Sequence, residues 1–359
     1  MGTAWYGRVP IGPGAVLLAA VMVAGCSAGT PAARSAGTRH GGSVHTTTTG
    51  APTTTTTTAP PGPMPLAAPA ALTPFAPPPS PTDGTWAPAG RTVNGFPAVY
   101  ETRLVPPGGG SEAGIAWMDT NLLGAQLYSG SKSPGGGPYM FTAPVLPAQA
   151  TTLVAAFNGG FLMKDAQGGY LTEGRTIDPL VNGAASLVIH ADGSVNVGAW
   201  GTDVAMTPDV VAVRQNLVPL VEGGQPTAQA ANPNWGVWGA TCGVSSCSGA
   251  GIENQWRSGV GVTAAGALVY VAGPALDPDQ LAQLLARAGV VRGMELDINP
   301  SWPVFATYAP PAGLLAAPSN GSSLQPAADQ GPATFFEAAW ARDFITMSAR
   351  STAVSTPGG

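Results

Sequence analysis

The chain has 359 residues, only 9% of them charged, with a formal net charge of -5 and a pI near 5.1. That mildly acidic balance speaks against nucleic acid as a partner, because phosphate backbones select basic patches. The hydrophobic share of 44% is inflated by alanine, and the one long apolar run lies at residues 11–25.

That run is too short and too interrupted by glycine for a membrane span. It follows Arg8 and ends at Val23-Ala24-Gly25-Cys26, so it reads as an export signal. The tetrapeptide resembles the bacterial lipobox, which implies removal of residues 1–25 and acylation of Cys26. Acyl chains contribute about 0.8 kcal/mol per buried CH₂, so two or three together hold a protein on a membrane. The expected place is the outer face of the cell membrane.

Residues 26–85 are mostly Thr, Pro, Ala, Gly and Ser, with Thr runs at 46–49 and 53–58. They offer little apolar surface to offset the entropy of ordering, so a disordered tether is expected. Aromatic and β-branched residues return from Trp86, which places one domain at residues 86–350 and a flexible tail at 351–359.

Within the domain, strands are expected over 99–104, 114–119, 126–128, 152–157, 187–190, 195–199, 210–215, 259–263 and 267–271. Asp192-Gly193 is a hairpin signal between two of them. Asp277 and Pro278 open a helix with an apolar stripe at Leu281, Leu284, Leu285 and Ala288, and Gly289 stops it. The helix runs into a strand at 290–299, and Arg342 to Met347 reads as a last strand. The fold class is α+β: a single domain of mixed β-sheets with a few helices.

Cys242 and Cys247 are five positions apart. In an exported protein such a pair points to a small-loop disulfide. Zinc would need two further ligands, and His40, His45 and His190 are the only histidines, two of them in the tether.

Met294-Glu295-Leu296-Asp297-Ile298-Asn299 alternates apolar and polar residues. On a regular strand Glu295, Asp297 and Asn299 would share one face. Carboxylates are depleted in strands, so two together suggest a polar site. Phe157-Asn158-Gly159-Gly160-Phe161 follows another strand, and its glycines would let backbone N–H groups approach a ligand. A serine hydrolase is excluded by the absence of a Gly-x-Ser-x-Gly elbow. Glu295, Asp297 and Asn299 are hard oxygen ligands of the kind calcium takes, but three on one strand are too few, and no cofactor is expected.

In order and spacing these motifs resemble the phosphodiester glycosidase family. Asn158-Gly159-Gly160-Phe161 looks like its opening motif, and Arg257-Ser258-Gly259-Val260-Gly261 like its Arg-[Thr/Ser]-x-x-Gly strand. The 265–271 hairpin, the helix and Leu296-Asp297 follow in the family's order. The family's Asn is Glu295 here, and its Gly-Gly-Gly-Ser is replaced by Ile298-Asn299-Pro300-Ser301. The resemblance implies cleavage of a sugar-1-phosphodiester at the anomeric carbon. Asp297 is the expected catalytic carboxylate, with Glu295 or Glu173 as second acid. Neighbouring strand residues on one face lie about 6.5–7 Å apart, near the ~6.5–9.5 Å of an inverting pair. Arg257 is the candidate phosphate ligand. Asn158, Gly159, Gly160, Ser258 and Asn299 would bind substrate, and Trp302 would stack on a sugar. The expected function is a lipid-anchored extracytoplasmic glycosidase cleaving GlcNAc-1-phosphate-like linkages of envelope glycans. The alternative is a relative that binds glycan without hydrolysis.

Overall fold

Along Leu268–Leu276, Leu268, Tyr270 and Ala272 face one core and Val269 and Val271 another, as a strand buried on both sides requires. The computed structural model describes residues 64–77, 80, 82–231, 255–298 and 300–350. With strands numbered in chain order, an eight-stranded sheet runs β1 (Ala87–Val93), β2 (Phe96–Leu104), β3 (Ala113–Met118), β14 (Leu268–Leu276), β13 (Gln255–Thr263), β15 (Val290–Ile298), β11 (Val221–Glu222) and β12 (Gln225–Pro226). A five-stranded sheet runs β7 (Arg175–Asp178), β6 (Tyr170–Thr172), β10 (Val210–Gln215), β8 (Ala185–His190) and β9 (Val195–Ala199). Another runs β17 (Gly321–Ser323), β16 (Phe305–Tyr308), β5 (Leu153–Asn158), β18 (Phe344–Ala349) and β4 (Leu123–Tyr128). The helices are α1 (Pro147–Ala150), α2 (Met163–Ala166) and α3 (Pro278–Arg287).

The α+β class holds, but the strand ladders are antiparallel, where mixed sheets were expected. One face of the large sheet packs against residues of both smaller sheets, in a core that includes Met294, Leu296, Phe157, Ile345 and Leu187. The other face is covered by α3, whose Leu281, Leu284 and Leu285 are buried. Asp277 caps α3 through a reciprocal capping box with Gln280. Gly259 of the Arg257–Val262 motif seats this helix. A Cβ on Gly259 would meet Leu285 Cδ1 at 3.2 Å and Leu281 Cδ2 at 3.3 Å.

Several short strands escape a reading by alternation. β1 contains Pro88 and Gly90, and it forms because Asn94 (φ 51°) and Gly95 (φ 84°) fold it back on β2. β6 and β7 are joined in the same way by Glu173 (φ 52°) and Gly174 (φ 71°). Residues 64–77, placed by composition in the tether, lie against the domain. Leu66, Leu72 and Phe75 pack on the α3 core, and Leu66 N–H donates to Asp119 Oδ2 at 2.8 Å. Three apolar side chains in a proline-rich stretch suffice to dock it, so the packed chain begins upstream of Trp86. The export signal, Cys26, the Thr runs, Cys242, Cys247 and Asn299 lie outside the described residues.

Truncating Leu285 removes side-chain volume where α3 meets Gly259 and Gly293. We expect Leu285→Ala to lower unfolding stability by about 2–5 kcal/mol. A loss below about 0.5 kcal/mol in a urea titration would show that α3 does not cover the sheet as described.

Candidate active site

The β13–β15 ladder is irregular where it matters. Arg257 pairs with Ile298 and Gly259 with Glu295, so two residue steps along β13 match three along β15. Leu296 and Asp297 together oppose Ser258, which is a β-bulge. The Ser258 hydroxyl holds the bulge closed: Oγ donates to Asp297 O at 3.0 Å and accepts from Asp297 N–H at 3.2 Å. Asn216 braces it from the other side, its Nδ2 donating to Glu295 O at 3.0 Å and Leu296 O at 2.9 Å.

The bulge overturns the expectation that Glu295 and Asp297 share a face. Glu295 lies opposite Gly259, on the side of α3, and Arg257 Nη1 donates to its Oε1 at 2.5 Å. Arg257 Nε donates to Leu276 O at 2.8 Å. Both side chains are buried. Burial raises the Glu295 pKa against the opposing pull of Arg257. The guanidinium expected to bind phosphate therefore neutralises a carboxylate, and the expected second acid is that carboxylate. Glu295 Oε2 meets no donor among the described residues.

Asp297 has different partners. Its Oδ1 accepts from Ile298 N–H at 2.8 Å, and its Oδ2 accepts from Arg342 Nη2 at 2.5 Å. The residue is only 2% exposed. Burial lifts its carboxyl to about 7, although Arg342 and the Ile298 N–H favour the ionised form. The Arg342 guanidinium lies 4.5 Å from the ring centroid of half-buried Trp302, which meets Trp340 edge-on at 5.8 Å. Trp302, expected at a sugar subsite, thus belongs to the Asp297 group through a residue the sequence did not single out.

Asn158 ends β5 and is 1% exposed. Its Nδ2 donates to Ser258 Oγ at 3.0 Å and Gly159 O at 2.9 Å. Its Oδ1 accepts from Tyr270 O–H at 2.7 Å and Val304 N–H at 3.0 Å. The amide is thus fully engaged by protein groups. It connects to Asp297 through Ser258 and is not aimed at open space. Gly159 and Gly160 are required for a reason other than ligand approach. Gly159 N–H donates to Asp343 O at 2.8 Å, and a Cβ there would overlap the Asp343 carboxylate. A Cβ on Gly160 would stand 2.7 Å from Asn216 Oδ1 and 2.8 Å from Arg214 Cζ.

These contacts surround a buried ion pair. Arg214 Nε donates to Asp343 Oδ2 at 2.8 Å, with both side chains fully buried. Arg214 Nη1 and Nη2 also donate, to Gln215 O and Phe161 O. Asp343 precedes β18 and follows Arg342 directly, so one turn of chain supplies both the structural acid and the cation of Asp297. Glu173 is engaged elsewhere. It sits in the β6–β7 turn, accepting from Met140 N–H at 3.0 Å and Phe141 N–H at 2.8 Å. Among the described residues its carboxylate makes no hydrogen bond to the Asp297 group. Among the described residues no three His, Cys, Asp or Glu side chains gather as metal ligands would.

Arg214, Asn216, Tyr270, Arg342 and Asp343 were not singled out from the sequence. A faint signal existed: in a chain 9% charged, Arg214 sits inside a strand pattern and Arg342-Asp343 opens another. Breaking a buried ion pair costs about 3–5 kcal/mol. We therefore expect Gly159→Ala, which drives a methyl into Asp343, to destabilise by about 3 kcal/mol or more in guanidinium titrations. A near-neutral Gly159→Ala would refute the packing role given to that glycine.

The sequence model described as phosphodiester glycosidase matches residues 151–297. No curated protein matches the chain. Among solved structures, the catalytic domain of zebrafish N-acetylglucosamine-1-phosphodiester α-N-acetylglucosaminidase, auto-inhibited by pro-peptide, is similar at 13% identity and a TM-score of 0.42. That match covers 74% of this chain and 87% of the zebrafish one. A Synechocystis protein described as hypothetical is similar at 14% identity and a TM-score of 0.37, covering 74% of this chain and 64% of its own. From the strand that ends in Asn158 to the bulge that carries Asp297, the chain has the sequence pattern of the phosphodiester glycosidase family.

Proposed function

We propose that the protein is a glycosidase that hydrolyses a sugar-1-phosphodiester, of the GlcNAc-1-phosphate kind, in envelope glycans. In this reading it acts from the outer face of the membrane, tethered through acylated Cys26. The observation that carries the proposal is the Asp297 carboxylate. It sits on a braced bulge at the end of the family-matched span, held by Arg342 and placed one residue-contact from half-buried Trp302.

The chemistry asks little of an acid, because a phosphate monoester leaves readily. Water adds to the anomeric carbon as the bond from that carbon to the phosphate oxygen breaks. The phosphate departs with the bonding pair, and Asp297 takes the proton released by water. Ionised Asp297 also stabilises the oxocarbenium-like charge. Arg257 and Glu295 hold the neighbouring strand in register and do not touch substrate in this scheme.

The sign of the pH dependence follows. Burial keeps the proton on Asp297 up to about pH 7, and the working form is deprotonated. We expect kcat/KM to rise about tenfold per pH unit below 7 and to level above it. A profile flat between pH 5 and 8 would remove Asp297 from the role of base.

A second reading is a glycan-binding relative without hydrolysis. It is favoured by the closeness of the site: both acidic side chains are almost wholly buried against arginines. The purified full chain, offered a panel of α-linked sugar-1-phosphodiesters beside Asp297→Asn, separates the two. Hydrolysis is expected, with Asp297→Asn slower by about 10³-fold or more, as for loss of a principal catalytic group. Turnover unaffected by the substitution would sink the assignment. Saturable sugar binding with no turnover of any diester would establish the binding module instead.

A further inference from the structure

Three buried arginines serve this region, and Arg342 differs from Arg214. Arg214 donates from Nε, Nη1 and Nη2 to a carboxylate and two carbonyls. Arg342 donates from Nη2 to Asp297 alone, while Nε and Nη1 are buried and meet no acceptor among the described residues. The residue is 6% exposed. Trp340, two positions earlier and also 6% exposed, has its indole Nε1 in the same condition. Trp302 touches both: it lies under the guanidinium and edge-on to Trp340.

Unmet buried donors are costly, and a cationic one more so. Their position is fixed, not accidental. Ser131 N–H donates to Trp340 O at 2.8 Å, Ser133 N–H donates to Ala341 O at 2.9 Å, and Ser131 Oγ donates to Ala339 O at 3.0 Å. The backbone of Arg342 lies so close to Gly130 that a side chain there has no room. A clamped loop therefore holds Arg342 Nε, Arg342 Nη1 and the Trp340 indole N–H without an acceptor among the described residues, with Arg342 beside the candidate catalytic carboxylate.

We propose that Arg342 and Trp340 form the subsite for the phosphoryl group of the substrate, with Trp302 as its aromatic floor. This rests on the glycosidase reading above and names the residues that would receive the leaving group. Charge and geometry agree. A guanidinium offers several N–H groups in one plane to the oxygens of a phosphate, and an indole N–H is a donor only. The same guanidinium reaches Asp297, so the phosphate would sit within one side chain of the proposed base. Burial of the site strengthens the attraction relative to water. Arg257, expected from the sequence to take this role, is paired with Glu295.

The test measures affinity independently of turnover. Calorimetry on the full chain compares GlcNAc, α-GlcNAc 1-phosphate and inorganic phosphate. The unmodified protein should prefer the sugar phosphate to the free sugar, and inorganic phosphate should compete. Trp340→Phe keeps an aromatic ring but removes the indole N–H, which has no acceptor among the described residues, together with part of a buried side chain. It should lower the melting temperature somewhat through the lost packing, and in the folded variant weaken sugar phosphate binding about tenfold, the usual scale of a hydrogen bond to a charged group. Binding of GlcNAc should not move.

Arg342→Lys keeps the charge beside Asp297 but loses the planar fork, and should weaken phosphate binding similarly; it decides the matter if Trp340→Phe does not fold. Equal affinity for GlcNAc and its 1-phosphate, or phosphate preference undiminished in both variants, would overturn the subsite. Phosphate-selective binding without hydrolysis would sink the glycosidase reading and leave the subsite standing. Hydrolysis with KM unchanged in both variants would do the reverse.

Discussion

The buried ion pair between Arg214 and Asp343 is the interaction on which the site's geometry depends. It is made by residues from two different five-stranded sheets, β10 and the approach to β18, and the Asn158-Gly159-Gly160 turn wraps it. Two desolvated charges add little net stability when paired, but removing either leaves the other stranded. The pair therefore acts as a registration device. With Asp343 fixed, Arg342 is fixed beside it, and with Arg214 fixed the neighbouring Asn216 reaches the β15 backbone.

The β-bulge at Leu296-Asp297 completes the arrangement. A regular ladder would have set Glu295 and Asp297 side by side, where two ionised carboxylates repel and raise each other's pKa. The extra residue instead separates them. Glu295 turns toward α3 and receives Arg257, while Asp297 turns toward Arg342. Each buried acid gains its own cation, and Asp297 retains a pKa near neutrality because burial outweighs that cation. The strand thereby supplies, from positions two apart, one carboxylate paired with Arg257 and one paired with Arg342.

Much of the fold was legible. The α3 helix announced itself through Asp277, Pro278, the leucine stripe and Gly289, and the capping box formed as that pattern implies. Strands with clear alternation fell where expected, β9 and β10 without revision. The strands β1, β6 and β7 were not legible, because pairing through Asn94-Gly95 and Glu173-Gly174 makes them strands despite their composition. Of the residues expected at the site, Asn158, Ser258, Asp297 and Trp302 are brought together in one network. Arg342 carried only a faint charge signal, and nothing local distinguishes Trp340 or Asn216; their contacts lie more than 35 positions away in sequence, such as the 45 between Asp297 and Arg342.

The sequence by itself determined the chemical inventory: a strand with two acids, an Arg-Ser-Gly strand beside it, an Asn-Gly-Gly turn and a capped helix between them, in the order that matches one family over residues 151–297. Periodicity and capping are local, so they survive in one dimension. Only the tertiary structure decided which cation meets which acid. A one-residue bulge reverses where a side chain points, and the identity of a buried charge's partner depends on desolvation and distance, which chain order does not encode.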